Sequence, residues 1–271
     1  MTNNNPTQIG GFGLGLRSLA GNRFKLFVFF LLPFAALALP VAAQDASALV
    51  KDMESKINVD ASDLASTFTL IQKKDGEADK VLRLKIFRRD TAAKFTIIFQ
   101  YPDSEKGKGY YRAGDDLYLY LPTTREFVYR NRKDDVGSTD VRTDIFGKQD
   151  LLSQYTAQLA GSEKIAKFDT TVIKLNAKTQ DVSFPVQKWY VRTTDNLPVK
   201  VENFSASGTL LRTVYYVDFK EIAKGKFVFT KLLSVNNLEK NQKTLLQNDE
   251  ISTAKIPDYT FSQAFLEEQS R

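Results

Sequence analysis

Two adjacent carboxylate pairs, Asp115-Asp116 and Asp134-Asp135, are the groupings in this 271-residue chain that could do acid–base chemistry. Neighbouring residues tend to point apart, and Asp beside Gly between two apolar runs is ordinary turn chemistry. Glu267-Glu268, near the tail, reads as a solvated helix face. The carboxylates between Asp134 and Asp150 lack the D-x-[DN]-x-[DN]-G spacing of a calcium loop. The chain has no histidine and no cysteine. That removes Ser-His-Asp and Cys-His nucleophilic catalysis and nearly all zinc, haem and iron–sulfur ligation. There is no G-x-S-x-G, no phosphate-binding loop, and no G-x-G-x-x-G after a strand; Gly11 to Gly15 precede an apolar run. Interleaved Tyr110, Arg112, Arg125, Tyr129, Arg130 and Arg132 could meet RNA or anionic lipid headgroups, but read most simply as a solvated face. The expectation is a protein without catalytic residues, metal or cofactor.

The remaining signal is apolar and aromatic. Fourteen phenylalanines and eleven tyrosines follow residue 43. Many share one alternating face with aliphatic neighbours: Phe68, Leu70, Leu84, Ile86, Phe95, Ile97, Phe99, Tyr118, Tyr120, Trp189, Val191, Tyr215 and Val217. Such a face is either a packed core or the lining of a cavity. A cavity of several hundred cubic ångströms would take acyl chains, at about 0.8 kcal/mol per buried methylene; a filled core would not.

The elements that position this face are mostly strands. Gly107 to Arg132 reads as three in succession: Tyr110–Ala113, a turn at Gly114-Asp115-Asp116, Leu117–Leu121, a turn at Pro122-Thr123-Thr124, and Glu126–Arg130. In the middle one, Tyr118 and Tyr120 point one way and Leu117, Leu119 and Leu121 the other, so it is apolar on both faces. Period-two alternation also marks 65–72, 81–87, 94–101 (Ile98 excepted), 171–177, 186–193, 199–204, 211–219, 227–236 and 244–252. Ten to twelve strands without βαβ alternation indicate an antiparallel sheet curled into a barrel or half-barrel. Asp45–Ile57 has an apolar helical stripe (Ala46, Leu49, Val50, Met53, Ile57), with Asp45 or Ser47 as cap. The polar run Lys133–Asp144 looks mobile, and Gly147–Leu159 suggests a second helix with Leu151, Leu152, Tyr155 and Leu159 on its apolar side. This pair reads either as a movable cover, with Leu49, Met53, Leu151, Leu152 and Tyr155 in the lid, or as a surface crossover.

Residues 1–43 read as an export signal. Arg17, Arg23 and Lys25 precede the apolar run Leu26–Leu39, and Pro40-Val41-Ala42-Ala43 offers a cleavage site after Ala43. The run is short for a membrane span. The expected mature domain, 44–271, then carries 35 basic against 32 acidic residues. So even a balance does not point to nucleic acid.

Several blocks in order make the chain resemble the LolA-like family of outer membrane lipoprotein-sorting proteins. They are the helix Asp45–Ile57, Phe99-Gln100-Tyr101-Pro102, G-x-G-Y at Gly107–Tyr110, D-x-L-Y-x-Y-L-P at Asp115–Pro122, Asp150-Leu151, and I-P-D-x-x-F at Ile256–Phe261. The family's G-x-D-aromatic step has two competitors here, Gly137-Ser138-Thr139-Asp140 and Asp144-Ile145-Phe146. The resemblance implies a mainly β fold, an unclosed antiparallel barrel with an α-helical lid on its concave side. It also implies a monomeric, non-enzymatic periplasmic carrier of lipoprotein acyl chains or lipid, served by an inner-membrane RND/MMPL-type or ABC transporter. The alternative is an envelope-assembly protein with a filled barrel and a protein partner on its edge strands.

Overall fold

The computed structural model describes residues 45–131 and 134–270. The signal reading of residues 1–43, Arg132 of the arginine–tyrosine set and Lys133 of the polar run lie outside the described residues. The first element is α1 (Ala46–Ile57), where the Asp45 side chain caps by accepting from the Ser47 N–H at 2.9 Å. Six strands follow: β1 (Leu64–Lys73), β2 (Lys80–Arg89), β3 (Lys94–Tyr101), β4 (Gly109–Ala113), β5 (Asp116–Leu121) and β6 (Glu126–Arg130). After a crossing segment come the single turn α2 (Leu151–Gln154) and seven more strands: β7 (Tyr155–Ile165), β8 (Phe168–Ala177), β9 (Val186–Arg192), β10 (Pro198–Phe204), β11 (Leu210–Ala223), β12 (Lys226–Asn236) and β13 (Lys243–Ser252). α3 (Gln263–Gln269) ends the chain. Among the described residues no helix is long and apolar enough to cross a membrane.

The strands form one antiparallel sheet in the order β6-β5-β4-β3-β2-β1-β13-β12-β11-β10-β9-β8-β7. Two meanders are thus joined where β1 pairs with β13, and their far edges, β6 and β7, do not pair, so the barrel is unclosed. This topology dictates the path of the crossing segment. β6 and β7 are consecutive in sequence but at opposite edges, so the chain must cross from one edge to the other between them. Residues 134–150 run across the inner face.

Of the two readings left open for the polar run, cover or surface crossover, the path of residues 134–144 overturns the surface crossover. Val136, Val141 and Phe146 are buried with Phe68, Leu70, Leu82, Leu84, Ile86, Phe95, Ile97, Phe99, Tyr110 and Leu117 in the core of the first meander. A short hairpin shapes the plug: Val136 N–H donates to the Val141 carbonyl at 2.7 Å, and Asp135 bridges Arg142. Gly137 turns it with φ +54°, and an added Cβ there would lie 2.7 Å from Leu82 Cδ1. A polar-looking sequence is therefore a plug with an apolar side.

The second lid helix is also corrected. Only Leu151–Gln154 is helical, and Tyr155 starts β7, which pairs with β8 from Tyr155↔Ala177 to Ile165↔Phe168. Leu151, Leu152, Tyr155 and Leu159 do fall at helical spacing. Pairing with the ten-residue strand β8 outweighs that local pattern, and Leu159, at the sheet edge, is 43% exposed. Leu49, Val50 and Met53 of α1 pack with Leu151, Tyr155, Ile173, Leu175, Trp189, Val191 and Val201, with Leu152 partly buried against them. α1 thus covers the inner face of the second meander as the plug covers that of the first.

Candidate functional site

The inner face gathers most of the apolar set read from the sequence. Phe68, Leu70, Leu84, Ile86, Phe95, Ile97 and Phe99 share one cluster, Trp189 and Val191 the other, and Val214 and Tyr216 touch both. Tyr118, Tyr120 and Tyr215 do not join them. On β5 it is Leu117 and Leu119 that face inward; Tyr120 is buried on the opposite face with Ile98 and Leu266 of α3, while Tyr118 meets Tyr129 edge to face at 5.6 Å. The strand is apolar on both faces because both are covered, the outer one by α3. Gly109 permits this cover: a Cβ there would lie 2.6 Å from Leu266 Cδ2 and 2.5 Å from the Ile97 carbonyl oxygen. On β11 the inward residues are Arg212, Val214 and Tyr216, and a register shift between Tyr216 and Asp218 brings Phe219 to stack on Tyr216 at 5.8 Å. Tyr215 and Val217 are left exposed.

Three spaces lie along the plug. At its start is a cleft of about 610 Å³ between Phe99, Tyr110, Leu119 and Leu121 on one side and Arg212, Asn236 and Gln242 on the other. It meets, at Asp140 and Arg212, a central cavity of about 120 Å³. Past Ile145, Gln149 and Tyr216 lies a pocket of about 40 Å³ among Phe68, Ile86, Phe146, Phe219 and Phe229. The two inner spaces are below the several hundred cubic ångströms of ordinary ligand sites. Plug residues line all three, Asp140 at the cleft and central cavity and Ile145 at the central cavity and inner pocket.

The plug is tethered at both ends by polar groups. At the cleft end, the Asp140 carboxylate accepts from Gln72 Nε2 (3.1 Å), Asn236 Nδ2 (3.1 Å), Gln242 Nε2 (2.6 Å) and Thr244 Oγ1 (3.2 Å), and its carbonyl accepts from Ser234 Oγ (2.9 Å). These donors come from β1, β12, β13 and the turn before β13. Lys80 Nζ donates to the Gly137 carbonyl. At the other end, Asn58 Nδ2 donates to the Gln149 carbonyl and Gln149 N–H returns to Asn58 Oδ1, both at 2.8 Å. Glu54 of α1 accepts from the Leu151 N–H at the start of α2.

Glu54 carries a pH dependence. Burial pushes its carboxyl up to about 7, against the Leu151 hydrogen bond, which favours the ionised form. The folded state therefore holds more protons than the unfolded chain between about pH 4.5 and 7. Stability contributed by this group is present below that window and is lost as pH rises through it. The wild-type melting temperature is expected to fall from pH 5 to 8 relative to that of Glu54→Gln. Parallel melting profiles for the two proteins would rule this out.

The charged side chains of the site sit around the central cavity. Arg112 comes from β4, Arg142 from the plug and Arg212 from β11. Asp135 is 3.4 Å from Arg142 and 3.1 Å from Arg212, while its neighbour Asp134 turns toward Arg130 at 3.9 Å. The Asp134-Asp135 pair points apart, and among the described residues no group of three or more carboxylates is placed to hold a metal ion. Asp144 accepts from Ser183 Oγ at 2.9 Å. Burial holds its carboxyl above the ordinary range, against Ser183 and the three arginines. A chain of hydrogen bonds closes the far wall: Trp189 Nε1 to Gln187 Oε1 (2.8 Å), Gln187 Nε2 to Tyr155 Oη (3.4 Å), and Tyr155 O–H to the Phe184 carbonyl (3.0 Å). Asp140, Asp144, Arg142 and Arg212 lie outside the apolar set; the one signal for Arg212 is a charge breaking an otherwise apolar alternation.

A family model described as "Uncharacterized protein" matches residues 91–268, well over half of the chain. The chain belongs to that family. Its fold is the LolA-like one that the sequence blocks suggested. A LolA superfamily protein from Nitrosomonas europaea is 19% identical with a TM-score of 0.72, over 82% of this chain and 100% of that one. A domain from Vibrio parahaemolyticus bearing the outer membrane lipoprotein-sorting name is 16% identical with a TM-score of 0.74, again over 82% and 100%. A DUF1329 family protein from Desulfovibrio piger is 17% identical with a TM-score of 0.73, over 82% and 97%. No curated protein matches the sequence.

Proposed function

We propose that this family member is a non-enzymatic periplasmic carrier that binds the acyl chains of a lipoprotein or lipid along its inner face and moves them toward the outer membrane. The supporting observation is how the inner face is covered. An apolar face running from Phe99 to Trp189 is closed by one crossing segment and one helix, each held by polar tethers. A permanently filled core would be closed by a second packed layer. In the carrier, the plug 134–150 and α1 are the gate. Displacing the plug joins the 610 Å³ cleft to the two inner spaces and exposes Phe68, Leu84, Ile97 and Phe99 to the incoming chain. An inner-membrane RND/MMPL-type or ABC transporter is the partner this reading calls for, and residues 1–43 are the cleaved export signal of a monomeric protein.

Native mass spectrometry of the protein from Gln44 onward, purified gently from its own cell envelope, tests this. The expected result is a bound mass in the lipid range that is lost in a folded Ile97→Asp variant. A clean apo mass, with no uptake of a fluorescent fatty acid, would instead favour a filled barrel that presents its edge strands to a protein partner.

A further inference from the structure

The polarity of the central cavity differs from what acyl chains alone require. Its about 120 Å³ would hold roughly eight to twelve waters, at about 10–15 Å³ each in the same measure. Arg112, Arg142 and Arg212 reach it from three separate elements spanning both meanders. Two of them flank one ring: the guanidinium carbons of Arg142 and Arg212 lie 5.3 and 5.9 Å from the Phe184 centroid. Arg112 lies over Phe95 at 5.8 Å. Arg142 Nε is buried without a hydrogen-bond partner, although its Asp135 neighbour is 3.4 Å away. A buried donor left unmet costs about 1–3 kcal/mol, and guanidinium groups are suited to bidentate capture of carboxylate or phosphate.

The acidic groups facing this cluster are few. Asp135 is shared between Arg142 and Arg212. Asp140 opens on the cavity but is saturated by Gln72, Asn236, Gln242 and Thr244. Asp144 is held by Ser183, and burial favours its neutral form. Lys148, Asp150 and Asp181 are exposed at the rim, where solvent screens them. Arg212 is buried while Arg112 and Arg142 are half-buried, and Arg112 Nε also donates to the Gly114 carbonyl at 2.8 Å. Beside the cavity lies the apolar pocket of Phe68, Ile86, Phe146 and Phe229.

We propose that the central cavity is a head-group site for an anionic amphiphile, with Arg112 and Arg212, on the strands β4 and β11, holding a carboxylate or phosphate while the alkyl chain runs along the inner face that the plug now covers. The proposal deepens the carrier reading and rests on it. It narrows the cargo from any acyl chain to one ending in an acid.

Sub-micellar twelve-carbon ligands with different heads separate the two claims: dodecyl phosphate, dodecanoate, dodecanol and dodecyltrimethylammonium. Binding is followed on the full chain by fluorescence of Trp189, the single tryptophan, which packs 6.4 Å from Tyr216 at the cavity wall. The expected result is at least tenfold tighter binding of the phosphate or the carboxylate than of the alcohol, with the cation weakest. Whichever acid binds tighter distinguishes a phospholipid-type from a fatty-acid-type source. Arg212→Gln should reduce the preference to within about threefold, while Arg212→Lys should retain part of it. Equal binding of all four heads would overturn the head-group site and leave the carrier standing. Failure of all four to bind would overturn both. If Arg212→Gln does not fold, the wild-type head-group series decides alone.

Discussion

Asp90→Ala is expected to lower the unfolding free energy by about 3–5 kcal/mol, the usual cost of stranding one charge of a buried pair. Arg88 and Asp90 are almost fully buried, and they meet in a two-point contact, Nε to Oδ1 at 2.5 Å and Nη2 to Oδ2 at 2.6 Å. Asp90 also accepts from the Val59 N–H at 2.7 Å, which fixes the chain leaving α1. Truncation leaves the Arg88 guanidinium with Asn58 Oδ1 at 3.4 Å and strands the Val59 N–H. Because Asn58 also holds Gln149 in both directions, the loss reaches the plug's far tether. Urea denaturation followed by Trp189 fluorescence gives the magnitude. Arg88→Leu/Asp90→Leu removes both charges and should recover much of the loss, since a buried pair is frequently replaceable by apolar side chains at little cost. A loss below about 1 kcal/mol for Asp90→Ala would mean that the pair is not what fixes this junction.

The sheet is legible in the sequence because its strands are half-covered and alternate: β3 (Lys94–Tyr101) and β6 (Glu126–Arg130) have the bounds that period two assigns. Topology and face are harder to read. Local patterns carry no information about the β1–β13 pairing, and without it nothing forces 134–150 through the interior. The plug's polar residues look like a solvent loop because their partners, such as Gln72 and Thr244, are distant in sequence. On β11, Leu211, Thr213, Tyr215 and Val217 alternate as convincingly as Arg212, Val214 and Tyr216. The burial of a charged residue decides between them, which runs against the hydrophobic rule. β5 misleads for a related reason: α3 supplies a second apolar cover on the outer face, so the alternation of Tyr118 and Tyr120 against the leucines does not say which side is inside.

The cover's two tethers differ in kind, and this makes the gate testable apart from its cargo. At α1 the junction is a set of neutral pairs plus Glu54. At the cleft end it is one carboxylate contacted from three adjacent strands, in a place where water from the 610 Å³ cleft can reach donors that lose their acceptor.

Asp140→Ala is therefore expected to cost about 2–4 kcal/mol. Hydrogen bonds to a charged group contribute about 1.5–3 kcal/mol each, but bonds sharing one acceptor are not additive, and rehydration at the cleft offsets part of the loss. The effect should be concentrated in the plug. Amide exchange of residues 136–146 should accelerate by at least tenfold while β1, β12 and β13 stay protected, as for a local opening. Asp140→Asn keeps the side chain's size but turns a donor toward Gln72, Asn236, Gln242 and Thr244, so it should show most of the same acceleration. Under the carrier reading, both variants also take up a fluorescent fatty acid several-fold faster than the wild type, because displacing the plug is the step that opens the inner face. Hydrogen exchange with mass spectrometry reads the first effect and stopped-flow fluorescence the second. Faster exchange without faster uptake would separate the plug from the gate. Unchanged exchange at 136–146 would show that the plug is held by its apolar side, Val136, Val141 and Phe146 against Leu82 and Phe99, and that Asp140 only completes the packing.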